Sequence, residues 1–278
     1  MGGPQSQKTG IDTEQLKNIQ VDMLKCFIAV CQKHNLRYFL LGGSALGAVR
    51  HKGYIPWDDD IDVGLPRNDY EKFLEVAQKD LPENIFVQTT ITDPEYPVNF
   101  AKLRNSDTTF VEKSVKNFNI NHGVYIDIFP LDGYKKSSFS ELLYKIYTFR
   151  IGCEFYSDDK NSGFKNKFLK IVLPIVFPNY KKLKYKNEKY MKKRNYDDSE
   201  LIRNFCGAWG LKEVVPKSFF GNGAKAEFEG FEVIIPEQYD LYLTSLYGDY
   251  MKLPPVEKRV PHHYCEIVDL SSSYKNYI

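Results

Sequence analysis

The chain has no uninterrupted apolar run near the roughly 18–20 residues that a membrane-spanning helix needs, and no charged-then-apolar secretory leader. It is expected to be a soluble protein of the cytoplasm. Cysteine is sparse: Cys26, Cys31, Cys153, Cys206 and Cys265 are odd in number, scattered, and form no C-x-x-C pair. That usage suits reduced thiols in a cytosol. His262, His263 and Cys265 have no second ligand group at zinc spacing, so ordinary surface or pocket roles are preferred for them. Net charge is only +2, too small for a whole-surface nucleic-acid binder, and no internal repeat is evident.

What is present is enough apolar and charged residue for a sizeable core: 278 residues, 42% hydrophobic and 27% charged, one large domain or one domain with an appendage. Residues 1–10 read as a disordered tail and are set aside. Charge is unevenly spread. Between Lys165 and Arg194 there are eleven Lys and Arg against one acid, Glu188. Acidic charge gathers instead in the stretch from Tyr38 to Gly64, where Asp58, Asp59, Asp60 and Asp62 put four carboxylates into five residues. So many carboxylates are tolerated when solvated, partly protonated or neutralised by a cation. Solvation fits poorly, because Trp57, Ile61 and Val63 flank and interleave them. Alternation puts Asp60 and Asp62 on one face of a strand and Ile61 and Val63 toward the core, a hard-oxygen arrangement suited to Mg2+. Asp59 is the one expected to be plain surface charge.

Taken in order, Ile11 to Asn35 carries the three- and four-residue apolar spacing of one amphipathic helix, capped by Asp12 or Thr13. Arg37 to Leu41 reads as a buried strand. Gly42-Gly43-Ser44 then turns into a second helix, where backbone N–H groups and the helix dipole favour an anion. Pro66 to Gln78 is another amphipathic helix and Phe86 to Thr90 a strand. Phe100 to Val111 reads as a strand pair turning at Asn105-Ser106-Asp107. Lys102 and Arg104 share one face there, with phosphate binding and solvent exposure both open. In His122 to Asp132 a short apolar strand carries Asp127 at its middle, which needs a partner and makes Asp127 the third acidic candidate. Residues 137–204 form a basic helical region. Its apolar run from Phe168 to Pro178 either packs in the core or lies on an anionic membrane surface. Ala226 to Pro236 is a hairpin turning at Glu229-Gly230, and Gln238 to Tyr247 a helix.

Gly43-Ser44, Asp60-x-Asp62 and Asp127 resemble the signature of the nucleotidyltransferase superfamily, and more closely the LicD family of phosphotransferases, which includes fukutin-like proteins. Four blocks carry the likeness: Leu41 to Val63, Lys102 to Thr109, Gly123 to Gly133, and Tyr247 to Pro255 with Lys258, Arg259, His262 and His263. The resemblance implies an α/β (α+β) fold with a mixed sheet core flanked by helices over residues 11–136, a helical insertion over 137–204, and a C-terminal part, 205–278, that completes the active-site domain. It implies Mg2+, or Mn2+ in its place, held by Asp60, Asp62 and Asp127, which are also the catalytic residues. Gly43, Ser44, Arg50, Lys52, Lys102 and Arg104 become candidates for holding donor phosphate. Asp58, His122, His262 and His263 become candidates for the substrate pocket. The implied reaction is transfer of phosphocholine from CDP-choline to a glycan hydroxyl, the acceptor lipid-linked, with release of CMP. Alternatives are another CDP-alcohol such as CDP-ribitol or CDP-glycerol, a true nucleotidyltransferase releasing pyrophosphate, and a non-catalytic glycan- or membrane-binding protein. No nucleic acid partner is expected, and the basic 165–194 segment could touch a membrane.

Overall fold

The computed structural model describes residues 12–136, 138–155, 164–260 and 265–277. The expected N-terminal tail, residues 1–10, lies outside them. Helix α1 (Thr13–Lys33) starts at Asp12, whose side chain accepts from the Gln15 backbone N–H, and it ends at His34. Its inner face, including Leu16, Met23, Leu24 and Phe27, is buried as the spacing predicts. Strand β1 (Phe39–Leu40) leads directly into α2 (Gly42–His51), so the helix begins at the first glycine of the turn. Strand β2 (Asp62–Pro66) and helix α3 (Arg67–Asp80) follow, then β3 (Ile85–Gln88), β4 (Ala101–Asn105), β5 (Thr109–Glu112) and the long β6 (Val124–Tyr134). Helices α4 (Ser138–Phe155), α5 (Phe164–Val176) and α6 (Tyr180–Met191) come next. The chain then forms β7 (Leu201–Asn204), β8 (Val214–Pro216), the hairpin β9 (Ala224–Phe228) and β10 (Phe231–Ile235), α7 (Tyr239–Tyr247) and β11 (Cys265–Asp269).

The main sheet runs β1-β2-β6-β4-β3, with β7 joined to the last part of β6 and β8 to β7. It is mixed: β2 lies parallel to β6, and β1, β4 and β7 lie antiparallel to their neighbours. All eleven residues of β6 are buried, which excludes an edge strand with Asp127 in water. Covered on both faces, β6 reads as a nearly continuous apolar run interrupted by Asp127 and Asp132. Asp132 has a buried partner: Arg67, at the start of α3, donates to it from Nε at 2.8 Å and Nη2 at 2.6 Å, a two-pronged pair that locks α3 onto β6.

The strand pair expected over Phe100 to Val111 does not form. Both edges of β4 are taken by β3 and β6, so after the turn at Asn105 the chain leaves the sheet and β5 pairs with β11. The hairpin turns where expected, with Glu229 at φ 48° and Gly230 at φ 80°, the two left-handed positions of a tight two-residue turn. Helices α4 and α6 pack beside the sheet through a small separate cluster of Tyr134, Tyr144, Met191 and Phe205. Helix α5 buries Leu173 but leaves Ile171, Ile175 and Val176 exposed, so its apolar run is only partly core.

Candidate active site

Parallel pairing of β2 with β6 sets Asp62 directly beside Asp127, and the Asp127 backbone N–H donates to Ile61 O. Two acidic segments far apart in sequence thus meet in register. Ile61 and Val63 are fully buried, so Asp60 and Asp62 are turned to the opposite face, where both line one cavity of about 1150 Å³ together with Asp58 and Asp127. Burial first, and then the charges of Asp60, Asp127 and Asp58, push the Asp62 carboxyl well above the usual range. Asp127 is also pushed up, mainly by burial, while the nearby Lys102 ammonium opposes the shift.

Lys102 Nζ stands 2.9 Å from Asp127 Oδ1, an ion pair that sets one ammonium against that buried carboxylate. A crowded, oxygen-only set of four carboxylates facing one cavity, more negative charge than the Lys102 ammonium offsets, fits a hard divalent cation. Asp59 is not plain surface charge. It is buried, its backbone carbonyl accepts from Gln20 Nε2, and its carboxylate lies within 4.8 Å of those of Asp58 and Asp60.

The glycine turn serves this cluster by close approach. A Cβ on Gly43 would fall 2.6 Å from Asp58 Oδ2, so only glycine lets that carboxylate lie against the first turn of α2. The Gly42 N–H donates to Tyr242 Oη, and the Ser44 hydroxyl, buried and away from the cavity lining, accepts from the Asp62 N–H at 2.9 Å. Ser44 therefore holds the start of β2 in place. Arg50 lines the cavity and is tied by Nη1 to Tyr250 O.

The other basic candidates divide. Lys52 is exposed, 3.5 Å from Glu227 on the hairpin, and does not line the cavity. Lys102 and Arg104 are both buried, which removes the solvent-exposed reading. Lys102 faces Asp127, while Arg104 is committed to Gln88 Oε1 and Gly123 O at 2.8 Å each and stacks on the Tyr125 ring. His122 is fully buried outside the cavity lining, its Nε2 paired with Phe118 O. His262 and His263 lie outside the described residues.

Several further groups line or adjoin the cavity, and of these Tyr96, Lys184, Asn187, Trp209 and Glu213 carried no sequence signal. Tyr96 Oη and Asn187 Oδ1 are buried on its wall without a hydrogen-bond partner among the described residues, and Lys184, which donates to Tyr96 O at 2.6 Å, is pulled down to about 8 by burial. Trp57 lies under the Arg259 guanidinium, 5.4 Å from its ring centre. Glu213, Trp209 and Tyr247 form another part of the wall, contributed by the C-terminal third of the chain. Periodicity could not single them out, because they come from loops and helix ends that meet only in the folded chain.

A mixed sheet that brings two acidic segments together beside a glycine-started helix defines a nucleotidyltransferase-type catalytic domain. The profile described as "LicD/FKTN/FKRP, nucleotidyltransferase domain" matches residues 35–181. Lipopolysaccharide cholinephosphotransferase LicD of Haemophilus influenzae is 32% identical over 253 residues, covering 87% of this chain and 92% of that protein. Ribitol 5-phosphate transferase FKRP of human is 50% identical over 38 residues, 14% of this chain and 8% of that protein. An uncharacterised Rickettsia prowazekii protein, RP689, is 31% identical over 121 residues, 43% of this chain and 42% of that protein. The chain belongs to the LicD family and is a LicD-type transferase.

Proposed function

We propose that the protein transfers phosphocholine from CDP-choline to a hydroxyl of a cell-surface glycan precursor, with Mg2+ as cofactor and CMP as the leaving product. The observation that carries this reading is the meeting of Asp60, Asp62 and Asp127 on one cavity wall. A relative named for cholinephosphate transfer to lipopolysaccharide supports the choice of alcohol and of a glycan acceptor. Asp60, Asp62 and Asp127 would hold the metal, with Asp58 beside them. A divalent cation there would neutralise phosphate oxygens as the diphosphate is cleaved. Gly43 on the first turn of α2 and Arg50 are the candidates for steadying the donor phosphates.

The acceptor oxygen forms a bond to the phosphorus that bears choline. The bond from that phosphorus to the bridging oxygen breaks, and CMP departs with that oxygen. Asp127 is the candidate to take the acceptor proton, and Lys102 at 2.9 Å favours its ionised, proton-accepting form.

A second reading, transfer of ribitol phosphate from its CDP donor, is favoured by the short similarity to FKRP. The protein is offered CDP-choline, CDP-ribitol or CDP-glycerol with Mg2+ and a glycan acceptor, and CMP is measured. Release from CDP-choline above the others supports the first reading, and release from CDP-ribitol alone supports the second. Pyrophosphate from CTP, with no CMP from any CDP-alcohol, overturns both.

Work on a lipid-linked acceptor at the cytoplasmic face of the membrane also fits the surface of α5. Ile171, Ile175 and Val176 are 67%, 76% and 57% exposed in a strongly basic part of the chain, a combination suited to an anionic bilayer surface.

A further inference from the structure

The cavity wall contributed by the C-terminal third of the chain contains a buried carboxylate, Glu213, that makes no ion pair among the described residues. Glu213 is only 7% exposed, yet it forms no ion pair among the described residues, and its one hydrogen bond is from the Trp209 N–H at 3.3 Å. A buried carboxylate held by a single long hydrogen bond is an unstable arrangement unless something positive comes to it. Its position is built rather than accidental. A Cβ on Gly207 would fall 2.1 Å from Glu213 Oε1, so that glycine is what lets the carboxylate lie against the 207–209 loop.

Beside it, the rings of Trp209 and Tyr247 meet edge to face, at 82° with centroids 5.0 Å apart, and both line the cavity. Lys212 lies over the Trp209 ring but is tethered to Leu246 O, so its ammonium is already engaged. The corner also adjoins the carboxylate cluster: Tyr247 Oη and Asp62 Oδ2 lie 3.5 and 3.6 Å from the same point beside Gly42. A cation within reach of a phosphate held at that cluster would therefore meet two cavity-lining aromatic rings and a carboxylate.

We infer that Trp209, Tyr247 and Glu213 form the subsite for the quaternary ammonium of the transferred alcohol, which makes them specificity-determining residues for choline over uncharged alcohols. The inference rests on the phosphocholine reading above and deepens it. Quaternary ammonium groups cannot donate hydrogen bonds, so they are recognised by aromatic faces and a nearby negative charge. A polyol such as ribitol or glycerol would leave the buried carboxylate without a counter-charge.

The test compares CDP-choline with CDP-glycerol in the wild-type protein, Glu213→Gln and Trp209→Leu. Gln keeps the acceptor oxygen for the Trp209 N–H and removes only the charge. The preference for CDP-choline should fall about 10-fold or more in each variant, through KM for CDP-choline rather than kcat. Trp209→Phe should recover part of it.

Binding is read separately from turnover. There are two tryptophans, so in Trp57→Phe the remaining indole fluorescence reports Trp209, and phosphocholine should quench it while glycerol phosphate does not. Unchanged preference in both variants, or equal response to the two phosphates, overturns the subsite. If the wild-type protein releases CMP from neither donor, the transferase reading fails, and the fluorescence titration still decides whether this corner takes an ammonium.

Discussion

Replacing Glu213 by Gln should stabilise the empty protein at pH 8 while leaving its stability at pH 4.5 nearly unchanged. Burial pushes this carboxyl from the ordinary 4.5 up to about 7, against the smaller opposing effects of the Trp209 N–H and Arg203. Between those two values the native protein holds a proton that the unfolded chain has released. Native stability therefore falls as pH rises through that window and reaches its lower plateau above about 7. At ~1.4 kcal/mol for each pH unit of difference, the carboxylate costs about 3 kcal/mol at pH 8. Glutamine never ionises, so the variant escapes the loss.

Urea unfolding followed by circular dichroism at both pH values measures it: the gain of Glu213→Gln over wild type should grow by about 3 kcal/mol from pH 4.5 to 8. A gain that does not change with pH would refute the claim that the charge is uncompensated. Phosphocholine at pH 8 should raise the stability of the wild-type protein more than that of the variant. Equal increments would mean that the ligand does not meet the carboxylate.

Other consequences can be checked independently. Asp60→Asn, Asp62→Asn and Asp127→Asn should each lower CMP release by roughly two or more orders of magnitude, with circular dichroism unchanged. Mg2+ should raise the thermal midpoint of the wild-type protein but not that of Asp62→Asn, and an equal rise in both would remove Asp62 from the metal site. Arg67→Ala leaves Asp132 buried without its partner and should cost about 3–5 kcal/mol in urea unfolding, whereas a cost below ~1 kcal/mol would show that the pair does not hold α3 to β6. Ile171→Ser with Ile175→Ser, both exposed, should weaken sedimentation with anionic vesicles while the thermal midpoint stays put. Unchanged vesicle binding would exclude α5 as the membrane-facing surface.

Local pattern alone determined much of this protein. The span of α1 and its Asp12 cap, the turn at Glu229-Gly230, and the inward Ile61 and Val63 with Asp60 and Asp62 on the other face all follow from short-range rules of backbone geometry and burial. An aspartate in the middle of so apolar a strand already marked Asp127 as needing a partner, and four motif blocks marked the family.

What the sequence could not contain was the pairing of distant segments. Only the parallel register of β2 on β6 sets Asp127 beside Asp62, and only the occupied edges of β4 send β5 away to β11. The basic residues show the same limit. Lys52, Lys102 and Arg104 look alike in sequence, but their partners in the fold leave one on the hairpin surface, one against Asp127 and one buried on the cavity wall with its guanidinium held by Gln88 and Gly123 O. The Trp209, Tyr247 and Glu213 corner was the least legible of all. Its residues belong to no shared periodicity, and a buried carboxylate that makes no ion pair among the described residues is a property of three-dimensional surroundings, invisible until the chain closes around it.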